Sequence, residues 1–356
     1  SRKTLIIASG CAFAVLAALN FCLARITLPY LPDSEMARVV RFLRYEAGRD
    51  DKRPSVLFLG SSRFQSCIVP EVFEKQARQW GGDVRFINAS HPAMEYWEFL
   101  RILPYVNMAD INAGVCVIEL NPFTFNRQLK HTVTKELQYY RREYPIWGRF
   151  RDLRTAVGVS AKTRLFWSLI LPRRTFRDWS VSTRGIAGRL PEAELLPRAE
   201  YQYDMKLEEK QRNDPDFKPH NIARCHMYNY TFSEKKKDDF EQFLGELERR
   251  NLDIVLVQPP VSHRYFDYIR ESEKRSAEYD RHLVYLEELS GRYRTLFWQT
   301  PADAGLDESI FVDYGHFTRD GARVFSGIMA AAMEDAVRRV RPSAAIGQAS
   351  LRAGAL

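Results

Sequence analysis

Apolar residues along the chain fall into two alternating patterns, short continuous runs and longer stretches with an apolar residue every three or four positions. The runs are typical of strands buried on both faces, and the wider spacing is typical of amphipathic helices. Their alternation predicts parallel strands joined by right-handed crossovers, with helices on both faces of the sheet. We therefore predict a three-layer α/β domain over residues 55–340. Its predicted strands are Ser55–Leu59, Val84–Asn88, Val115–Leu120, Asp253–Val257 and Arg294–Trp298, and its predicted helices are Pro70–Trp80, Ala93–Val106, Ser233–Arg250, Glu271–Ser290 and Arg319–Val340.

Three segments depart from this alternation. Residues 29–54 contain one helical stretch, Glu35–Ala47, followed by a charged break, and we predict a linker helix there. Residues 121–233 separate two predicted strands by far more than the usual crossover length, which predicts a lid or subdomain inserted in the sheet domain. Residues 341–356 show no clear pattern, and we predict a peripheral tail.

The first apolar stretch differs from those of the sheet domain in its length. Thr4–Ala24 carries no charge and matches the roughly 20 residues that cross a bilayer, so residues 1–28 are predicted to be a transmembrane anchor. Arg2 and Lys3 precede it, and the positive-inside bias then places the N-terminus in the cytoplasm and the body outside the cytoplasmic membrane, in the periplasm. A cleaved signal peptide is the alternative, although its apolar region is normally shorter.

The positive charge of the chain is concentrated in the insertion. Arg141–Arg189 contains twelve Arg and Lys against three Asp and Glu, which accounts for the whole formal net charge of +8. Such a patch suits anionic lipid headgroups or an anionic polymer. Within it, the apolar stretch Arg164–Pro172 is either an interfacial element or a segment packed on the sheet, and the sequence leaves both open.

Cysteine and histidine positions point to no bound metal. Three of the five cysteines lie in the body, an odd number without metal-type spacing. His131, His220 and His226 also lack the spacing of metal ligands. Glycine-rich phosphate loops are absent from the sequence. We expect no metal, no cofactor and no nucleic-acid partner.

Candidate chemistry follows the predicted strands, because ligands in open parallel sheets bind beyond the carboxyl ends of the strands. Gly60, Ser61 and Ser62 follow the first strand, and Asp313 and His316 lie near the end of the domain. A serine next to a glycine is usually a helix cap or a turn residue. A serine acts as a nucleophile when an imidazole takes its proton and a carboxylate orients the imidazole, and His316 and Asp313 could supply these two groups to Ser62.

The segments "FLGSS", "INAS", "VIEL" and "DYGHFTRDGARVF" together resemble the SGNH, or GDSL-like, hydrolase and acyltransferase superfamily. The resemblance covers about Ser55 to Lys130 and Asp253 to Val340. It implies that Ser62 is the nucleophile, His316 the general base and Asp313 the carboxylate that orients the base.

The same resemblance implies an oxyanion hole, but with departures from the family pattern. The expected donors are the N–H of Ser62, a backbone N–H at the position of Ala93, where relatives have glycine, and the side chain of Asn121. Ser61 occupies a position usually held by aspartate, and we expect it to support the turn. Losing one oxyanion donor typically costs on the order of 10²-fold or more in rate.

A narrower resemblance follows the fourth strand, where "QPPVSHRYFDYIRES" is similar to the membrane-anchored DltD-type proteins of teichoic-acid D-alanylation. It implies a membrane-bound O-acyltransferase as partner and an acyl group, acetyl or D-alanyl, transferred to a cell-envelope glycopolymer. A carbohydrate O-acetyl esterase and a non-catalytic assembly factor are the alternatives. Arg63 and His263 are candidate substrate-binding residues. The alternatives are that Arg63 pairs with a carboxylate of the fold and that His263 is a polar loop residue.

Overall fold

The computed structural model describes residues 35–91, 94–103, 106–127, 222–313 and 315–340. The predicted anchor 1–28, most of the predicted insertion, Ala93 and the predicted tail 341–356 lie outside these ranges. In the described ranges, none of the helices has both the length and the apolar character needed to cross a bilayer.

Five parallel strands form one sheet in the order β2-β1-β3-β4-β5, which confirms the predicted parallel α/β sheet. The strands are β1 Ser55–Leu59, β2 Arg85–Asn88, β3 Ala113–Glu119, β4 Asp253–Gln258 and β5 Arg294–Phe297. The helices are α1 Glu35–Ala47, α2 Ser62–Cys67, α3 Pro70–Gln79, α4 Tyr96–Ile102, α5 Ile222–Met227, α6 Glu234–Glu248, α7 His263–Arg270, α8 Glu273–Ser290, α9 Arg319–Ala332 and α10 Glu334–Arg338.

Both faces of the sheet are covered by helices, as the apolar strands predict. Alternate residues of each strand point to opposite faces. On one face, Phe58 of β1 packs against Phe73 of α3, with ring centroids 5.0 Å apart, in a cluster that also includes α2 and α9. On the other face, Tyr96 of α4 packs against Phe240 of α6 at 4.2 Å. Only β5, at one edge, is partly exposed along its length.

The helices differ from the sequence prediction in number as well as in their ends; α4, for example, covers Tyr96–Ile102 and is shorter at both ends than predicted. The six-residue helix α2 and the eight-residue helix α7 were not predicted, because each is too short to show a periodic pattern. The last predicted helix is divided at Met333, which caps the C-terminus of α9 with a φ of −99° and a ψ of 0°.

Helix α9 approaches the chain before it so closely that only glycine fits at one position. A Cβ on Gly321 would lie 2.5 Å from the carbonyl oxygen of Ile310, a separation that forces backbone to move. Gly321 also donates its N–H to Oγ1 of Thr318, the N-cap of the helix, at 3.0 Å. This contact fixes α9 against the loop that contains Asp313 and His316.

Gly321→Ala should therefore destabilise the protein by about 1–3 kcal/mol, the usual cost of overpacking. Gly245→Ala is the matched control, because Gly245 lies inside α6 and a Cβ there would meet nothing within 4 Å. Replacing a glycine in a helix interior with alanine should stabilise by about 0.5–1 kcal/mol. Urea denaturation measures both changes, and equal stabilities for the two variants would contradict the close-packing argument.

A second feature of the core is the fully buried imidazole of His282 in α8. Its Nε2 lies 3.1 Å from Oε1 of Gln258, and the ring contacts Phe125 with centroids 5.4 Å apart. No described residue hydrogen-bonds to its Nδ1. Burial lowers the pKa of His282 to about 3, so the folded protein holds this side chain neutral.

His282 should make the free energy of unfolding fall as the pH falls, because only the unfolded chain binds its proton between pH 6.5 and about 3. From pH 7.5 to 5.0 the loss due to this one group should be about 2 kcal/mol. In His282→Gln, which retains a donor for Gln258, urea denaturation should show a pH dependence weaker by that amount. Parallel profiles for the two proteins would contradict the assignment.

Candidate active site

The two adjacent serines after β1 have different environments. Ser61 is the N-cap of α2, buried, and its Oγ accepts the N–H of Arg63 at 3.3 Å. Ser62 is the first residue of that helix and is half-buried. Its N–H is among the first N–H groups of the helix, which have no acceptor within it. Of the two hydroxyl groups, that of Ser62 is therefore the one open to a substrate.

Gly60 allows this turn to come close to the end of β3. A Cβ at Gly60 would lie 2.6 Å from Oε2 of Glu119 and 2.5 Å from Cβ of Phe64. The same carboxylate oxygen accepts the N–H of Ser61 at 2.5 Å. A buried carboxylate thus holds the backbone that presents Ser62.

Asp313 and His316 lie on a closed loop before α9. Val312 donates its N–H to the carbonyl of His316 at 2.9 Å, which closes the loop. Inside it, Oδ1 of Asp313 accepts the N–H groups of Gly315 and His316, both at 2.7 Å. The carboxylate therefore fixes the backbone that carries the imidazole.

The structure brings Ser62, His316 and Asp313 together in one hydrogen-bonded chain. Nε2 of His316 lies 2.9 Å from Oγ of Ser62, and Nδ1 lies 2.8 Å from Oδ2 of Asp313. An ionised carboxylate only accepts hydrogen bonds, so Nδ1 of the imidazole carries the proton. In neutral imidazole Nε2 is then the acceptor, and it faces the Ser62 hydroxyl.

The ionisation of Asp313 suits this arrangement. Burial raises its pKa, but the hydrogen bond and charge of His316, together with the N–H groups of Gly315 and His316, outweigh burial and hold the pKa below its ordinary value. The carboxylate stays charged at neutral pH. It can therefore stabilise the imidazolium that forms when His316 takes a proton.

Arg63 does not lie where a substrate would meet it. Its side chain is fully buried, and its Nε donates to the carbonyl of Gly315 at 3.1 Å. Nη2 donates to the carbonyls of Pro259 and Pro260 at 3.1 and 3.0 Å, and Nη1 donates to Oδ1 of Asn121. The expectation that Arg63 binds an anionic substrate group therefore differs from what the structure shows, because its charge is enclosed by the protein.

Asn121 is also engaged by the protein. It is buried after β3, and its Nδ2 donates to Oε1 of Glu119 and, at 3.4 Å, to Oγ of Ser61. Its Oδ1 accepts from Arg63. In this arrangement the amide of Asn121 is committed to neighbouring side chains, which differs from the expected oxyanion donor.

The loop after β2 lies beside the serine turn, and each of its described N–H groups from residue 89 to residue 95 donates to an acceptor in the protein. Pro92 has no N–H, and Ala93 lies outside the described residues, so Ala93 stays the predicted oxyanion donor of this loop. The other N–H groups have acceptors in the protein: Ala89 donates to Phe58 O, Ser90 to Asn88 Oδ1, His91 to Gly60 O, Met94 to His91 O and Glu95 to Glu98 Oε2.

His263 begins α7 at the same edge of the sheet. Its N–H donates to Oε1 of Glu308 at 2.5 Å, and its half-exposed imidazole lies 3.9 Å from the same oxygen. Among the described residues, no hydrogen bond links His263 to Ser62, Asp313 or His316. Its role in substrate binding stays a prediction.

Asp313→Asn should slow the reaction of Ser62 with a fluorophosphonate by about 10²–10⁴-fold. An amide can donate to Nδ1 and so favour the tautomer with a proton on Nε2, which cannot accept the proton of Ser62. Asp307→Asn is the matched control, because Asp307 is exposed and caps a neighbouring turn. Labelling rates of the two variants within threefold of each other would contradict the proposed orientation of His316.

Comparison with known proteins gives remote structural likenesses. Neither a protein-family model nor a curated protein matches the chain. The crystal structure of TesA matches with 11% identity and a TM-score of 0.36, over 79% of this chain and 98% of that chain. The lipase/acylhydrolase from Enterococcus faecalis matches with 10% identity and a TM-score of 0.38, over 81% of this chain and 98% of that chain. Likenesses this remote assign no function.

Proposed function

We propose that the protein is a serine-dependent acyl-transfer enzyme in which Ser62 is the nucleophile. The observation that carries this proposal is the chain of hydrogen bonds from Ser62 through His316 to Asp313. These residues supply a hydroxyl, an oriented base with its acceptor nitrogen facing that hydroxyl, and an ionised carboxylate. A serine that only caps a helix needs neither the base nor the carboxylate, and Ser61 already provides the cap of α2.

The reaction proceeds in two steps on these groups. Oγ of Ser62 attacks an ester or thioester carbonyl while its proton moves to Nε2 of His316, and the leaving group takes that proton as it departs. The resulting acyl-serine is then attacked by a hydroxyl, whose proton moves to His316 and returns to Oγ of Ser62. When the hydroxyl belongs to water the outcome is hydrolysis, and when it belongs to a sugar the outcome is acyl transfer.

Two backbone N–H groups, those of Ser62 and Ala93, are the proposed donors to the oxyanion. The N–H of Ser62 has no acceptor within α2, and Ala93 stands where the resemblance places the donor of the β2 loop. The third expected donor, the amide of Asn121, is committed to Glu119 and Arg63. A two-donor hole should be weaker than a three-donor hole.

The proposed acceptor is a cell-envelope glycopolymer, and the proposed setting is the outer side of the cytoplasmic membrane beside a membrane-bound O-acyltransferase. The uncharged segment Thr4–Ala24 and the basic stretch Arg141–Arg189 support this part of the proposal, since they suit a bilayer and an anionic polymer. Positioning a sugar hydroxyl and excluding water would favour transfer over hydrolysis.

A non-catalytic assembly factor is the second candidate, and the commitment of Asn121 is the observation that favours it. It predicts a folded protein whose Ser62 does not react. The catalytic proposal predicts the opposite, so one experiment on Ser62 separates the two.

A fluorophosphonate probe should label the wild-type protein at Ser62, and Ser62→Ala and His316→Ala should lower labelling by about 10⁴-fold or more. Ser61→Ala is the matched control: the neighbouring serine caps α2 and accepts from Asn121 but has no bond to His316, so this variant should still be labelled. Labelling is followed by gel fluorescence, and the modified residue is identified by mass spectrometry. Equal labelling of wild type and Ser62→Ala, or none of the wild type, would overturn the catalytic proposal.

A second assay of the wild-type protein distinguishes acyl transfer from hydrolysis. With p-nitrophenyl acetate as donor, the acetyl group on Ser62 should pass to an added oligosaccharide of the envelope polymer faster than to water, and mass spectrometry of the oligosaccharide detects the transfer. Release of acetate alone would favour the esterase.

A further inference from the structure

Arg63 is a fully buried cation one residue from the proposed nucleophile. Through its guanidinium it joins three segments that are far apart in the sequence. These are the loop of His316, through the carbonyl of Gly315, the turn after β4, through Pro259 and Pro260, and the residue after β3, Asn121.

The charge of Arg63 is balanced indirectly. None of the described carboxylates forms a salt bridge with it. Instead Asn121 accepts from Arg63 with Oδ1 and donates to Glu119 with Nδ2. Burying two charges costs several kcal/mol each before their partners compensate. A fold that needed only packing here would be as stable with apolar side chains, which indicates that the guanidinium has another role.

Arg85 provides a comparison within the same protein. It is also buried, and it pairs directly with Glu46 at 3.3 Å and donates to the carbonyls of Glu46 and Ile111. Arg85 begins β2, at the opposite end of the strands from Ser62. Both arginines are buried and donate to backbone carbonyls, but of the two only Arg63 touches the loop of His316.

The bond from Arg63 to Gly315 acts on the geometry of the catalytic chain. The loop from Asp313 to His316 is held from inside by the two N–H bonds to Asp313. It is held from outside by Nε of Arg63 on the carbonyl of Gly315 at 3.1 Å. Since Arg63 belongs to the helix that begins with Ser62, this bond ties the base to the nucleophile's own helix.

We propose that Arg63 is a positioning residue that sets the separation of Ser62 Oγ and His316 Nε2 by fastening the His316 loop to helix α2. The inference rests on the proposed function. Arg63 contacts no substrate, so its effect is on the rate of the chemical step and not on substrate binding. A lysine cannot take its place, because one ammonium group on a flexible stem cannot present donors in the planar geometry that reaches all three segments.

The test compares Arg63→Lys and Arg63→Met with Arg85→Met as the matched control. Each protein is assayed with a fluorophosphonate and with p-nitrophenyl acetate, and its free energy of unfolding is measured in urea. Both Arg63 variants should lose about 10–10²-fold in kcat and in labelling rate, the scale of a misplacement of about 1 Å, with KM within twofold of wild type. Arg85→Met should lose stability and keep kcat.

The outcomes separate this inference from the proposed function. A wild-type protein that is not labelled overturns the proposed function and this inference with it. A labelled wild type with a folded Arg63→Lys variant of unchanged kcat overturns the inference alone, as does a rise in KM without a fall in kcat. If Arg63→Met does not fold, Arg63→Met combined with Glu119→Gln removes both buried charges. Its reference is Glu119→Gln alone, because Glu119 holds the N–H of Ser61, and its kcat should be about 10–10²-fold below that reference.

Discussion

The hydrogen bond between Ser62 and His316 joins two residues that are 254 positions apart in the sequence at 2.9 Å, and the proposed function depends on it. The parallel sheet makes this possible, because every carboxyl end lies at one edge. The serine turn leaves β1 at that edge. The His316 loop is held at the same edge by α9, which begins directly after it and packs against α2 and α3 on one face of the sheet.

Three buried polar side chains fix the positions of the serine turn and the His316 loop relative to each other. Glu119 holds the N–H of Ser61, and Asp313 holds two N–H groups of the His316 loop. Arg63 connects the two assemblies through Gly315. In each case a charged side chain binds backbone, so the positions of the reacting groups are set by main chain and not by flexible side chains. Of Ser62, Asp313 and His316, only Ser62 is half-exposed.

Much of this arrangement follows from the sequence. The apolar runs predict the parallel sheet, and the order of Ser62, Asp313 and His316 along the chain predicts that they meet. The roles of Arg63 and Asn121 do not follow from it, because an arginine beside a nucleophile has the same sequence pattern whether it faces a substrate or a carbonyl. Glu119 was a missed signal: a carboxylate at the end of an apolar strand, in "VIEL", must find buried partners.

The close approach at Gly60 links positions that a sequence comparison would otherwise treat as separate. No side chain fits at Gly60 beside Glu119 and Cβ of Phe64, and the carboxylate of Glu119 is linked to the guanidinium of Arg63 through Asn121. A substitution at Gly60, Glu119, Asn121 or Arg63 would therefore disturb its neighbours in this set, since each contacts or hydrogen-bonds to the next.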